Sequence, residues 1–204
     1  MMKKALWALF GFLSVAIGLY PVIYFIQDRK FGLLTTKSEA LLSDLFWNTG
    51  FYTHIIFGGL TLLVGWLQFS PWLRRTHLPL HRMFGKIYVT AALLSGVAGI
   101  GIGTQATGGW TAALGFMSLG IVWVYTTFAA YRHIHAGRVT AHQKMMTYSY
   151  AACFGAVMLR LWMPFLIMAF GDFIAAYRVV AWLCWMPNLG VAWWVNGRIR
   201  EVGF

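Results

Sequence analysis

The sequence predicts an all-α polytopic membrane protein: six transmembrane helices in one bundle spanning residues 1–204 as a single domain, with both termini cytoplasmic. Three observations lead there: an apolar excess with very little charge, six apolar stretches long enough to cross a bilayer, and lysine and arginine gathered into alternate connections.

Sixty percent of the 204 residues are apolar and 10% are charged, whereas a soluble domain carries roughly 25% charged residues to hydrate its surface. Lipid is the solvent this composition suits. The formal charge of +11 would invite a nucleic-acid partner in a soluble chain. Here the basic residues lie between apolar runs, where they control topology and attract anionic headgroups, so the expected partner is the bilayer and not nucleic acid. Cys153 and Cys184 each lie inside an apolar run and form no CxxC pair; they read as small buried hydrophobes.

A spanning helix needs roughly 20 apolar residues, since the hydrocarbon core is about 30 Å thick and each residue rises about 1.5 Å. The stretches that qualify run approximately over residues 5–26, 48–69, 86–103, 110–131, 145–170 and 177–195. Lys3 and Lys4 precede the first, and Ser14-Val15-Ala16 resembles a small-residue cleavage site. The run continues well past Ala16, so it reads as a retained helix and not a signal peptide.

Orientation follows from the basic residues. Lys3, Lys4, Arg74, Arg75, Arg82, Lys86, Arg132, Arg138, Lys144, Arg198 and Arg200 fall on one side of a six-crossing arrangement. The other side holds Arg29, Lys30 and Lys37 against Asp28, Glu39 and Asp44, with Arg178 near Asp172. The richer side is the cytoplasmic one. The long external connection, Gln27 to Trp47, contains SEALLSD from Ser38 to Asp44, which reads either as an amphipathic turn acting as a lid or as an ordinary loop. Trp72, Trp110, Trp193 and Trp194 sit near helix ends, at headgroup level. Ser95, Gly99 and Gly103 form a small-residue ridge for helix packing.

Polar groups inside lipid are costly and turn toward the bundle interior, where they mark ligands or pathways. His54, Gly58, Thr61, Gly65 and Gln68 share one face of the second helix, and His81, Gly85, Tyr88, Ala92 and Ser95 share one face of the third. His142, Ser149, Cys153, Ala156 and Arg160 repeat the device on the fifth. A histidine followed four residues later by glycine leaves space beside the imidazole for a planar ligand such as a haem or quinone. Arg160 cannot realistically deprotonate and must find a partner or water; Pro164 frees the Arg160 carbonyl at the same level. His54 and Arg160 are expected in an outer-half polar cavity, the alternative being that Arg160 snorkels outward or bonds helix carbonyls. His77, His81, His133, His135 and His142 map to cytoplasmic ends, either as solvated interfacial groups or as ligands and proton relays. His133 and His135 point about 200° apart on a helix and do not ligate together.

The segments HIIFGGLTLLVGWLQF from His54, HRMFGKIYV from His81 and HQKMMTYSYAACFGAVMLR from His142 to Arg160 resemble a family of predicted bacterial membrane proteins, domain of unknown function 2306. The resemblance implies a multi-pass protein of the bacterial cytoplasmic (inner) membrane, with His54, His81, Arg82, Gly85, His142 and Arg160 as signature positions and no established activity. Members carry an Arg and a Trp soon after the third histidine, where this chain has Gln143 and Met145. In motif style alone the chain is similar to cytochrome b561-type haem proteins, which pair histidines at both faces. Here that style leaves at most one bis-histidine haem, with His81 and His142 on the iron, since His54 has only Met117 as an outer partner.

Two function classes stand open. One is a redox protein holding haem b or a quinone between the second, third and fifth helices, with His54, Gly58, His81, Gly85, His142 and Arg160 around the group. The other is a transporter or ligand-binding protein with an outward cavity at His54 and Arg160, although the halves show no convincing similarity. A structural or assembly role, homo-oligomeric or not, takes the rest. No HExxH, Walker loop, GxSxG or intramembrane carboxylate pair appears, so hydrolase and carboxylate-based pump chemistry fit poorly.

Overall fold

In a computed structural model the protein is described over residues 2–27 and 31–199, and among these residues helices are joined by short connections with no strand. The chain packs as two compact units, Met1–Ile102 and Gly103–Phe204.

In the first unit α1 (Met2–Leu19) passes through a 3-10 turn at Tyr20–Val22, where Pro21 withholds an N–H, into α2 (Ile23–Ile26). A 3-10 turn at Gly32–Thr36 leads to α3 (Glu39–Ser43). The Ser38 hydroxyl accepts the Leu41 N–H at 3.3 Å, so part of SEALLSD is a capped helical turn that seats Leu42 in the core. Partial burial holds the Lys37 ammonium just before it below its ordinary pKa range. The Asp44 carboxylate accepts the Trp47 N–H at 2.7 Å and starts α4 (Leu45–Gly65), which tightens into a 3-10 turn at Trp66–Phe69. Ser70 and Pro71 open α5 (Pro71–Thr76), followed by α6 (Leu78–Gly103).

The second unit holds α7 (Trp110–His135), α8 (Val139–Cys153), α9 (Gly155–Phe170), α10 (Phe173–Leu183) and α11 (Met186–Asn196). Gly171, at φ +66°, ends α9 in the left-handed conformation a glycine adopts without steric cost, and the Asp172 carboxylate caps α10 through the Ala175 N–H at 2.8 Å. The turn sends α10 back along α9 and α11 along α8, while α7 packs on both α8 and α10.

Among the described residues, five helices are long and apolar enough to cross a membrane: Lys4–Ile26, Leu45–Phe69, Leu78–Gly103, Trp110–His135 and the α8–α9 run Val139–Phe170. Three start or end well outside the expected stretches, because His81, Arg82, His133, His135, His142 and Lys144 continue the helices that were expected to stop short of them. Polar side chains do not break helices; they only move that part of the helix out of the apolar average. The last apolar stretch, expected as one helix over 177–195, is α10 and α11 with a break at Cys184 and Trp185. Pro187, in the first turn of α11, has no N–H to carry the ladder across.

Polarity is arranged inside out. Ser14, Thr61, Ser95, Thr127 and Ser149 have no accessible surface, while Phe46 is 90% exposed, Met168 78% and Trp110 74%. A water-soluble fold does not spread large apolar side chains over its surface while burying hydroxyls. The buried hydroxyls answer to backbone carbonyls, as Ser14 does to Phe10 O at 2.7 Å and Thr61 to Gly58 O at 2.6 Å.

Candidate functional site

The expected stripes of α4 and α6 face each other within the first unit. The His54 ring nitrogen Nδ1 lies 3.0 Å from the Ser95 carbonyl oxygen, and the Ser95 hydroxyl donates to the His54 carbonyl at 2.8 Å. Each residue thus gives its side-chain hydrogen to the other's backbone. A carbonyl accepts only, so Nδ1 carries the proton and Nε2 is left as the acceptor nitrogen. The imidazole is seated on Gly99: a Cβ there would stand 2.8 Å from Nδ1. Gly58 faces Ser95, whose Oγ lies 3.1 Å from where a Cβ would be. The space one turn below His54 is therefore occupied by the serine that orients it.

This apposition gives a direct prediction. Gly99→Ala is expected to push the imidazole off the Ser95 carbonyl and cost about 1–3 kcal/mol by overpacking, measured by detergent-phase unfolding. In a His54→Ala background the same change is expected to cost almost nothing. Costs that simply add would contradict the seat.

His81 stands in the first turn of α6, half-buried, its backbone N–H donating to His77 O at 3.0 Å. Gly85, one turn on, leaves more room than Gly58 does: its nearest neighbour is Gln68 Oε1, 3.9 Å from where a Cβ would lie. Arg82 is exposed.

In the second unit His142 repeats the device of His54. Its Nδ1 lies 2.9 Å from the Ala130 carbonyl on α7, so this imidazole too is held with Nε2 as the acceptor. Farther along the α7–α8 contact, Thr127 donates to Trp123 O at 2.7 Å and meets Ser149 Oγ at 2.6 Å. Arg160 is half-buried and donates from Nη1 to the Ala156 carbonyl of its own helix at 2.8 Å. Met117, the outer partner considered for His54, packs its Cγ against Gly103. Two other histidines lie tilted against aromatic rings, His77 against Trp72 at 4.5 Å and His135 against Tyr131 at 4.4 Å between centroids.

A feature without a sequence expectation lies where two helix interruptions meet. The α8–α9 run loosens at Phe154, and α10–α11 breaks at Cys184 and Trp185; a Cβ on Gly155 would lie 3.5 Å from the Cys184 carbonyl and 3.4 Å from Trp185 Cβ. Breaks leave carbonyls without their helical donors. Asn188 donates to Ala151 O at 3.2 Å and to Cys184 O at 3.0 Å, and the Trp185 indole donates to Ala181 O at 2.9 Å. Deeper along α11, Asn196 donates to Lys144 O at 3.0 Å. A lone asparagine after a proline carries no periodic signal, so Asn188 was not legible in the sequence. The two histidine devices were half legible: His54, His142 and Ser95 stood out on their stripes, while Ala130, an alanine acting only through its carbonyl, carried no signal.

Among the described residues no group of three or more His, Cys, Asp or Glu gathers as a metal site. The DUF2306 family profile, described as a predicted membrane protein, matches residues 51–196. The chain belongs to the DUF2306 family. No curated protein and no solved structure matches it. In this DUF2306 protein the matched region contains His54, His81, Gly85, His142 and Arg160 as well as Ser95, Asn188 and Asn196, so the histidine seats and the paired interruption all lie within it.

Proposed function

We propose that this DUF2306 protein is a six-crossing protein of a bacterial cytoplasmic membrane, both ends cytoplasmic, that holds a redox group, haem b, through histidine. The sixth crossing is α10–α11, which accompanies α8–α9 along both of its halves and is therefore of spanning length despite its break. Basic residues such as Arg74 and Arg75 in α5 of the first unit, and Arg198 in the second, whose guanidinium lies 3.4 Å over the Trp194 ring, suit anionic headgroups. At about 1.5 Å per residue, α8–α9 is about 48 Å long. That exceeds the roughly 30 Å core, so its first turns, with His142, reach the headgroup level.

The observation that carries the haem reading is the His142 Nδ1 contact to Ala130 O. An iron-ligating histidine needs its other nitrogen held by an acceptor, which fixes the ring and raises the basicity of the ligating nitrogen. His142 is built that way. Haem b, when bound, supplies one-electron chemistry, and the protein's part is to orient the imidazole. The purified protein is expected to show a Soret band that shifts on dithionite addition, and His142→Ala to lose most of its haem while His135→Ala, on an exposed ring, keeps it. A colourless protein with unchanged spectra after dithionite ends this reading; His81→Ala, measured in parallel, tests the other expected iron ligand.

A second reading, small-ligand binding or transport, is supported by the paired interruptions stitched by Asn188, since broken helices line substrate sites in many transporters. Arg160→Leu leaving solute uptake unaltered in proteoliposomes would count against it.

A further inference from the structure

A trough of about 380 Å³ runs along the surface of the first unit between α1 and the 3-10 turn that follows α4. Trp7, Ala8, Gly11, Phe12 and Val15 line it from α1, and Trp66 forms the other wall. The five α1 positions fall on one helical face. Gly11 lets the Trp66 ring lie against α1, with Cζ3 3.0 Å from where a Cβ would stand, and Trp7 meets the same residue at 5.7 Å between centroids. Every lining side chain is hydrocarbon apart from the two indole nitrogens, and Phe12 is 68% exposed. The trough therefore suits an apolar chain and offers a polar group little to bond.

What stands at the end of the trough decides the class of chain. Lys4 precedes Trp7 by three residues and Ala8 by four, which puts it on the same face of α1, one turn nearer the start of the helix, and it is exposed. From Lys4 to Val15 the helix rises about 16 Å, the depth of one leaflet of a roughly 30 Å core. Phe69 packs edge-on against Phe10 at 6.2 Å, so α5, which follows Phe69, brings Arg74 and Arg75 to the same end of the unit. Burial and the adjacent Arg75 charge hold Arg74 below its ordinary pKa range, a penalty that a nearby anion removes. The described carboxylates of this unit, Glu39 and Asp44, lie before the first turn of α4, at the end opposite Trp66. An apolar track as deep as a leaflet and headed by cations matches an acyl chain beneath an anionic phosphate.

We infer that this trough holds one acyl chain of an anionic phospholipid whose phosphate meets Lys4. The site rests on the membrane placement proposed above and not on haem. The test is photolabelling of the full-length protein in phosphatidylcholine vesicles carrying a small fraction of phosphatidylglycerol with a diazirine on one acyl chain, read by intact mass and mapped to peptides. Labelling of the α1 and Trp66 peptides is expected to saturate at one adduct per chain, and the same diazirine on phosphatidylcholine to label them at least fivefold less. Ala8→Trp, at an exposed lining position, fills the trough and is expected to cut the labelling at least tenfold. Leu9→Trp, exposed but outside the lining, is expected to leave it unchanged. Lys4→Gln is expected to lower the preference for phosphatidylglycerol about fivefold, the worth of one basic residue near an anionic surface, and inorganic phosphate to displace nothing. Unchanged helicity by circular dichroism secures the comparison of variants. Labelling in simple proportion to lipid fraction, indifference to Ala8→Trp or Lys4→Gln, displacement by inorganic phosphate, or a dimer through α1 in place of the adduct would each overturn the assignment. Adducts confined to other spanning helices overturn this site alone, whereas a chain that no diazirine lipid labels overturns the membrane placement with it.

Discussion

Gly59→Ala is expected to lower the stability of the first unit by about 3 kcal/mol or more, the upper range for forced overpacking. A Cβ at Gly59 would stand 2.5 Å from the Gly18 carbonyl oxygen and 3.1 Å from Pro21 Cγ. Neither neighbour is the free end of a flexible side chain: one is backbone of α1 and the other a ring fixed to it. The only relief is to separate α1 from α4, which also strips the contacts of Gly11 with Trp66 and of Gly18 with Leu63. In lipid no hydrophobic gain offsets that separation, because helices associate there by close van der Waals contact. Gly101→Ala, with nothing within 4 Å of the added carbon, is the matched control and is expected to be neutral or to stabilise by up to about 1 kcal/mol through helix propensity. Unfolding of both variants in mixed detergent micelles reads the difference; equal stabilities would mean α1 and α4 do not approach as described.

Asn188→Asp is expected to destabilise the second unit by about 2–4 kcal/mol, a larger effect than its near-identical shape suggests. The amide donates to Ala151 O and Cys184 O. An aspartate in its place presents an acceptor to two acceptors, and two carbonyls at the meeting of the breaks lose their donor. The carboxylate either bears charge among oxygens or takes up one proton and restores a single bond. Stability of this variant is therefore expected to rise as pH falls and the acid protonates, opposite in sign to a salt-bridged aspartate. Asn188→Leu, which removes the donors without adding charge, is expected to fall between the two and to show no such pH dependence. An Asn188→Asp protein as stable as the native one across pH would show that the carbonyls at the breaks are satisfied by other means.

How much was legible depends on which physical effect each feature rests on. The all-helical class and the apolar helices were plain, because spanning lipid demands runs that composition displays directly. Helix ends were displaced where charged and imidazole residues continue the coil, since helix formation depends on backbone hydrogen bonding while hydropathy averages side chains. The interruption at Cys184 and Trp185 was hidden by an apolar stretch that looks continuous. Pro187 was the visible clue, and a first-turn proline is as compatible with a helix start as with a kink. The inward face of α6 was readable from period alone, and Tyr88, Ala92 and Ser95 are all fully buried there.

By itself, the order of residues determined that this chain forms apolar helices, which faces carry histidine and small residues, and which connections carry charge. These follow from local rules: hydrophobicity per residue, the 3.6-residue period and the absence of helix breakers. Only the tertiary structure decided that the His54 imidazole sits on Gly99 against the Ser95 carbonyl, that His142 answers to Ala130, and that Asn188 bridges two breaks. Each of these includes a hydrogen bond between different helices. Such a partner is selected by how closely two backbones approach, a distance that no local pattern encodes.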